Sequence, residues 1–146
     1  MDNIKSFELD HNAMTPGFYC LGQANGVFTY DLRFKKPNGG DYISYKALHS
    51  IEHLFAVVIR NSDIKDKVVY FGPMGCRTGF YLLLYGIEER QAKAATIDAV
   101  KKCLTLDYVP GTKPIECGNY LEHDLVEAQK ELKAYLNTLT GENNEK

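Results

Sequence analysis

What this chain lacks narrows its roles before any motif is read. The first residues, MDNIKSFELDHN, carry neither the basic stretch nor the apolar run that opens a secretory leader. No later apolar segment approaches the roughly 18 residues that a membrane span requires. The expectation is a cytoplasmic protein with no membrane partner. The four cysteines, Cys20, Cys76, Cys103 and Cys117, include no C-x-x-C pair, which argues against a disulfide framework and leaves each thiol needing its own explanation. No basic run breaks a mixed charge pattern that sums to −2, so the usual footprint of a nucleic-acid binder is missing. Internal repeats and low-complexity segments are absent too.

What is present suits one domain: 146 residues, 45% apolar and 25% charged. Residues 1–140 read as a single unit, and GENNEK at 141–146 reads as a frayed tail. In GVFTYDLRFKKPNGG the apolar Phe28, Tyr30, Leu32 and Phe34 alternate with Thr29, Asp31, Arg33 and Lys35, the pattern of a half-buried strand with its polar side in water. The Asn25-Gly26 dipeptide before it marks a tight turn, so residues 18–34 form a predicted antiparallel hairpin. Residues 67–72 and 79–86 read as a second strand pair. Helical spacing predicts helices over 44–62, over 88–106 with Ala95, Ile97, Val100, Cys103 and Leu104 inward, and over about 120–139. Hairpins with separate helices define an α+β class, a single-domain sandwich of antiparallel sheet against helices.

The stretch HSIEHLF at 49–55 sets three titratable side chains inside an otherwise apolar helical pattern. At about 100° per residue, His49 and His53 lie about 40° apart and can close on one ion, while Glu52 lies about 60° to the other side of His49. H-x-x-E-H reverses the zinc-protease H-E-x-x-H and keeps its i, i+4 histidines. The bland reading is a pair of satisfied core histidines beside a solvated glutamate. A catalytic site needs a third protein ligand and an open position. Cys117 in IECGNY is the best candidate, with Gly118 allowing close backbone approach; the rival for that cysteine is a small buried residue at a helix entrance.

Cys76 sits in FGPMGCRTGFY, a glycine-rich and proline-containing loop with Arg77 adjacent, a setting for an accessible and reactive thiol. Cys103 and Cys20 read as structural. His11 and His123 read as surface residues, His123 the more firmly so because the last helix is placed over it.

Five stretches in order carry a family resemblance: SFELDHN at 6–12, DLRF at 31–34, HSIEHLF at 49–55, GPMGCRTGFYL at 72–82 and ECGNYLEHDL at 116–125. With them the chain resembles the S-ribosylhomocysteine lyases, which make the precursor of the autoinducer-2 signal. The resemblance implies that His49, His53 and Cys117 bind a metal, that Cys76 and Glu52 transfer protons, and that Ser6, His11 and Arg33 help to hold the sugar. It also implies a homodimer with sites at the subunit interface, the last three residues serving the neighbouring chain. Its metal is ferrous iron, with zinc or cobalt able to substitute; two histidines and a cysteine alone would suggest zinc. Where many members carry an aspartate near the amino-acid end of the substrate, this chain has Tyr70. Two other readings are an H-x-x-E-H metallopeptidase, with Glu127 as third ligand, and a non-catalytic module stabilised by a metal closed off by a fourth ligand.

Overall fold

The computed structural model describes residues 1–141; apart from Gly141, the tail read as frayed lies outside the described residues. Strands β1 (Gly17–Ala24) and β2 (Val27–Arg33) form the expected hairpin. Asn25 (φ 55°) and Gly26 (φ 84°) both take the left-handed conformation that a two-residue hairpin turn needs. After helix α1 (Tyr45–Ile59), strands β3 (Val68–Pro73) and β4 (Gly79–Tyr85) form the second hairpin. Helices α2 (Glu89–Cys103) and α3 (Leu125–Thr140) complete the chain. All pairings are antiparallel, in the order β1-β2-β4-β3. The architecture is the expected α+β one, with three helices against a four-stranded sheet.

The register places Phe28 opposite Leu84, Tyr30 opposite Leu82 and Leu32 opposite Phe80, so one sheet face is apolar throughout. Leu48, Ile51, Leu54, Phe55 and Ile59 of α1 cover it, each burial contributing about 1.5–3 kcal/mol. Ser44 caps α1, its side chain accepting from the Ala47 N–H at 3.2 Å. Tyr135 of α3 stacks on Phe34 with ring centroids 4.1 Å apart, and its hydroxyl donates to the Gly17 carbonyl at 3.0 Å, tying α3 to the start of β1.

Three expectations change. The buried stripe of α2 is Ala92, Thr96, Ala99, Val100 and Cys103, with Ala95 and Ile97 half-buried at its margin, because small residues let α2 approach its neighbours. Burial pushes the Cys103 thiol up to about 12, as befits an inert core thiol. Helix α3 begins at Leu125 rather than near 120, because Asp124 takes extended dihedrals and caps the helix by accepting the Glu127 N–H at 2.9 Å. His123 is therefore in the preceding loop.

The third concerns β2, whose second face is buried at its Asp31–Arg33 end. Asp31 and Arg33 are 0% and 1% exposed and pair at 2.6 Å. The N-terminal segment, with a short 3-10 turn at Lys5–Glu8, lies along this side: Ile4, Lys5, Ser6, Phe7 and His11 line one cavity with Thr29, Arg33, Tyr81 and Leu83. Burial pushes the Asp31 carboxyl up from its ordinary value, against the opposing pull of the Arg33 guanidinium. Removing one partner strands the other charge out of water. Asp31→Ala is expected to lose about 3–5 kcal/mol of stability, measured by urea unfolding; a loss under 1 kcal/mol would show that Arg33 does not depend on the pair.

Candidate active site

His49 and His53 stand on the edge of α1, with ring centroids 4.6 Å apart. The Nδ1 of His49 lies 2.9 Å from the Glu122 carbonyl, and the Nδ1 of His53 lies 2.8 Å from the Pro110 carbonyl. A carbonyl only accepts, so both Nδ1 atoms carry the proton and both Nε2 atoms present a lone pair. This is the outer hydrogen bonding that orients metal-binding histidines. Cys117 brings its Sγ to 3.3 Å from His49 Nε2. That is close to the edge of about 3.5 Å expected between nitrogen and sulfur on a tetrahedral ion. The donor set fits a divalent metal: one ligand atom each from His49, His53, Cys117 and His123 lies within 4.8 Å of the others.

Two details depart from the sequence reading. The glycine that lets the backbone come close is Gly111, not Gly118: at φ 75°, an added Cβ on Gly111 would sit 3.0 Å from His53 Nδ1, whereas one on Gly118 would meet nothing within 4 Å. His123, read as a surface residue, stacks on His49 with centroids 4.0 Å apart and is held by Ser50 at 3.0 Å. Its position shows only once α3 is seen to start at Leu125; the signal in the sequence was its place six residues after Cys117 in a stretch that also carries Asn119 and Asp124. Burial, reinforced by the neighbouring His49 and His53, pushes its imidazole down to about 4, so it is neutral near pH 7. Glu127 does not belong to the cluster; its backbone N–H is engaged at the α3 cap. Glu52 is half-buried on α1 and, among the described residues, its carboxylate makes no hydrogen bond.

Ser6, His11, Arg33 and Cys76 come together elsewhere, around a cavity of about 950 Å³ on the sheet face away from the helices. Tyr70 also lines it, half-exposed, its hydroxyl lying where a Cβ on Gly72 would be. His11 donates from Nδ1 to the Leu9 carbonyl at 3.0 Å, leaving Nε2 free. Cys76 is exposed at the tip of the β3–β4 hairpin, where Arg77 turns the chain at φ 62°. Its Sγ is 3.1 Å from Thr78 Oγ1, and Arg33 Nη1 donates to that same oxygen at 2.7 Å. A guanidinium cannot accept, so the Thr78 proton is free to point at the sulfur, where it stabilises negative charge. The series Asp31–Arg33–Thr78–Cys76 thus runs from a buried carboxylate to an exposed sulfur. Thr78 and Asp31 were not singled out in the sequence; only the pairing of β2 with β4 brings them beside Arg33.

None of the residues of the histidine–cysteine cluster lines this cavity. The fold and site define a two-layer α+β protein able to hold a metal through histidine and cysteine, with a thiol cavity on the other side of the sheet. Comparison with known proteins makes the assignment specific. The family model described as S-Ribosylhomocysteinase (LuxS) matches residues 4–146, and the chain belongs to that family. It is 40% identical to the S-ribosylhomocysteine lyase of Borreliella afzelii, over 97% of this chain and 94% of that one. With its counterpart from Phocaeicola vulgatus it shares 40% identity over 93% and 89%, and with that from Clostridium beijerinckii 36% over 95% and 92%.

If the Thr78 hydroxyl activates the sulfur, Thr78→Val should slow alkylation of Cys76 by iodoacetamide at neutral pH about tenfold. Mass spectrometry supplies the rate, with the exposed Cys20 as internal reference. Equal slowing at both cysteines would remove the assigned role.

Proposed function

We propose that this chain is an S-ribosylhomocysteine lyase that releases homocysteine and 4,5-dihydroxy-2,3-pentanedione, with residues 1–140 acting as one metal-dependent domain in the cytoplasm. The observation that carries the reading is the pair of histidines whose Nε2 atoms are both left free by backbone carbonyls at the Nδ1 side, with Cys117 Sγ 3.3 Å from that of His49. The family assignment supplies the substrate class.

The chemistry explains why metal ligands and proton carriers are both needed. A thioether on C5 of a ribose cannot leave while the carbonyl is at C1; the carbonyl has to move to C2 and then to C3, through enediolates. A divalent ion held by His49, His53 and Cys117 supplies Lewis-acid stabilisation of the negative charge that develops on the sugar oxygens. We assign ferrous iron, with zinc or cobalt able to take its place. Cys76, aided by the Thr78 hydroxyl, takes and returns the proton in the first migration. Glu52, whose carboxylate has no hydrogen-bond partner among the described residues, exchanges protons with sugar carbons and oxygens in the later steps and promotes loss of the thiol. Ser6, His11 and Arg33 hold the sugar.

The active species is a homodimer. In one chain the cluster belongs to the helical layer while Ser6, His11, Arg33 and Cys76 surround a cavity on the other sheet face, a separation that supports a partner chain bringing the two sets together. The exposed apolar residues at that face, among them Ile4, Phe7 and Tyr70, suit burial against a second copy. A metallopeptidase reading loses support because Glu127 is not among the clustered ligand groups and Cys76 would have no role.

Anaerobic protein loaded with iron or cobalt and given S-ribosylhomocysteine is expected to release free homocysteine thiol. Cys76→Ala and Glu52→Gln should each reduce that release by about a hundredfold or more while still holding one metal per chain. Near-normal turnover in either would withdraw its assignment, and no release from loaded wild-type protein would sink the lyase reading. For the shared site, His11→Ala and His53→Ala chains are mixed and reassembled. Activity above that of either parent is expected, because one site of each mixed dimer is intact; no gain would place all of the groups in a single chain.

A further inference from the structure

The centre presents four nitrogen and sulfur groups, which would close a tetrahedral ion and leave no position for substrate. Counting protons around Ser50 gives another answer. Ser50 is 0% exposed, so its hydroxyl has no water to turn to. Its Oγ accepts the Asp124 N–H at 2.8 Å and lies 3.0 Å from His123 Nδ1. Had His123 Nδ1 carried a proton, Ser50 Oγ would receive two donors and its own hydrogen would be buried without an acceptor, at a cost of about 1–3 kcal/mol. Among the described residues, the acceptor that the geometry offers that hydrogen is His123 Nδ1. The Ser50 hydroxyl therefore donates, Nδ1 accepts, and the proton of the neutral ring is on Nε2.

That assignment is opposite to those of His49 and His53, whose Nδ1 atoms face carbonyls. A nitrogen that bears a hydrogen cannot ligate a metal. His123 Nε2 is nevertheless buried and without a hydrogen-bond partner. It belongs to a ring stacked on His49 and 4.7 Å from that of His53, so it borders the ion's surroundings. We infer that His123 is a positioning donor rather than a fourth ligand: Ser50 holds its Nε2–H in readiness for an anionic ligand at the metal's open position. The inference rests on the proposed metal site and deepens it. It also separates a catalytic centre from a closed structural one, since a donor at the fourth corner holds an incoming oxygen in place where a ligand would exclude it.

Cobalt-loaded protein tests this, with azide as an anionic probe that takes an open cobalt position and accepts a hydrogen bond at its coordinating atom. Cobalt per chain and the thiolate-to-cobalt absorption of the wild type report on the metal site by themselves. The ratio of azide affinities between wild type and variant reports on His123, so failure of the site and failure of the inference are distinguishable. His123→Phe, which keeps a stacked ring and removes the N–H, is expected to keep one cobalt per chain and an unchanged thiolate band, while azide binds about ten- to a hundredfold more weakly. Ser50→Ala frees the ring to present a bare Nε2. It should add a nitrogen ligand, seen as a shifted ligand-field spectrum, and block azide. Unchanged azide affinity in His123→Phe, or loss of cobalt from a variant whose circular dichroism is unaltered, would overturn the inference.

Discussion

Helix α1 is held to the sheet by Leu48, Ile51, Leu54, Phe55 and Ile59, and the metal centre depends on that anchoring. The apolar stripe fixes the rotation of the helix, and rotation decides that His49 and His53 point along its edge instead of into the core. From that edge the other elements are gathered by hydrogen bonds: the Pro110 carbonyl to His53, the Glu122 carbonyl to His49, and the Asp124 N–H to Ser50. Each bond gives a loop its place and gives a side chain its tautomer. The segments after α2 and before α3 carry little regular structure, and the histidines and Ser50 are what dock them to α1.

The sheet's other face follows a different constraint. A buried charge pair, Asp31 with Arg33, replaces the solvated polar stripe that alternation implies. Such a pair adds little net stability when both members are present, because desolvation offsets attraction. Its use is directional: Arg33 occupies one lone pair of Thr78 and so directs the threonine proton toward Cys76. The thiol itself is exposed, and the charges that influence it are not. Solvent reaches the sulfur, while the pair itself is 0% and 1% exposed.

Much of the site was legible because the chemistry is local in sequence. His49 and His53 are one helical turn apart, so spacing alone places them together. Cys76 is marked by the glycines and proline of its hairpin tip. Cys117 stands out by its motif, and its Sγ lies 3.3 Å from His49 Nε2. Less legible were groups whose role comes from pairing across the chain. Thr78 is unremarkable until β4 aligns with β2, and Gly111 displaces Gly118 as the close-approach glycine because the loop that touches His53 runs through Pro110. His123 was misplaced for a nearer reason: helical periodicity continued past its true limit, and a periodic pattern does not reveal that Asp124 caps the helix.

The sequence by itself determined the α+β class, the hairpins and the helices, because period-2 and period-3.6 burial patterns and an Asn-Gly turn act over a few residues. It also determined the histidine pair, since a helix converts a spacing of four into proximity. The tertiary structure alone decided which ring nitrogens carry protons, that Asp31 and Arg33 are buried, that Thr78 lies between Arg33 and Cys76, and that His123 joins the metal centre. These depend on contacts between residues tens of positions apart. A hydrogen bond is directional and short, so its partners become known only when packing has brought the two backbones together.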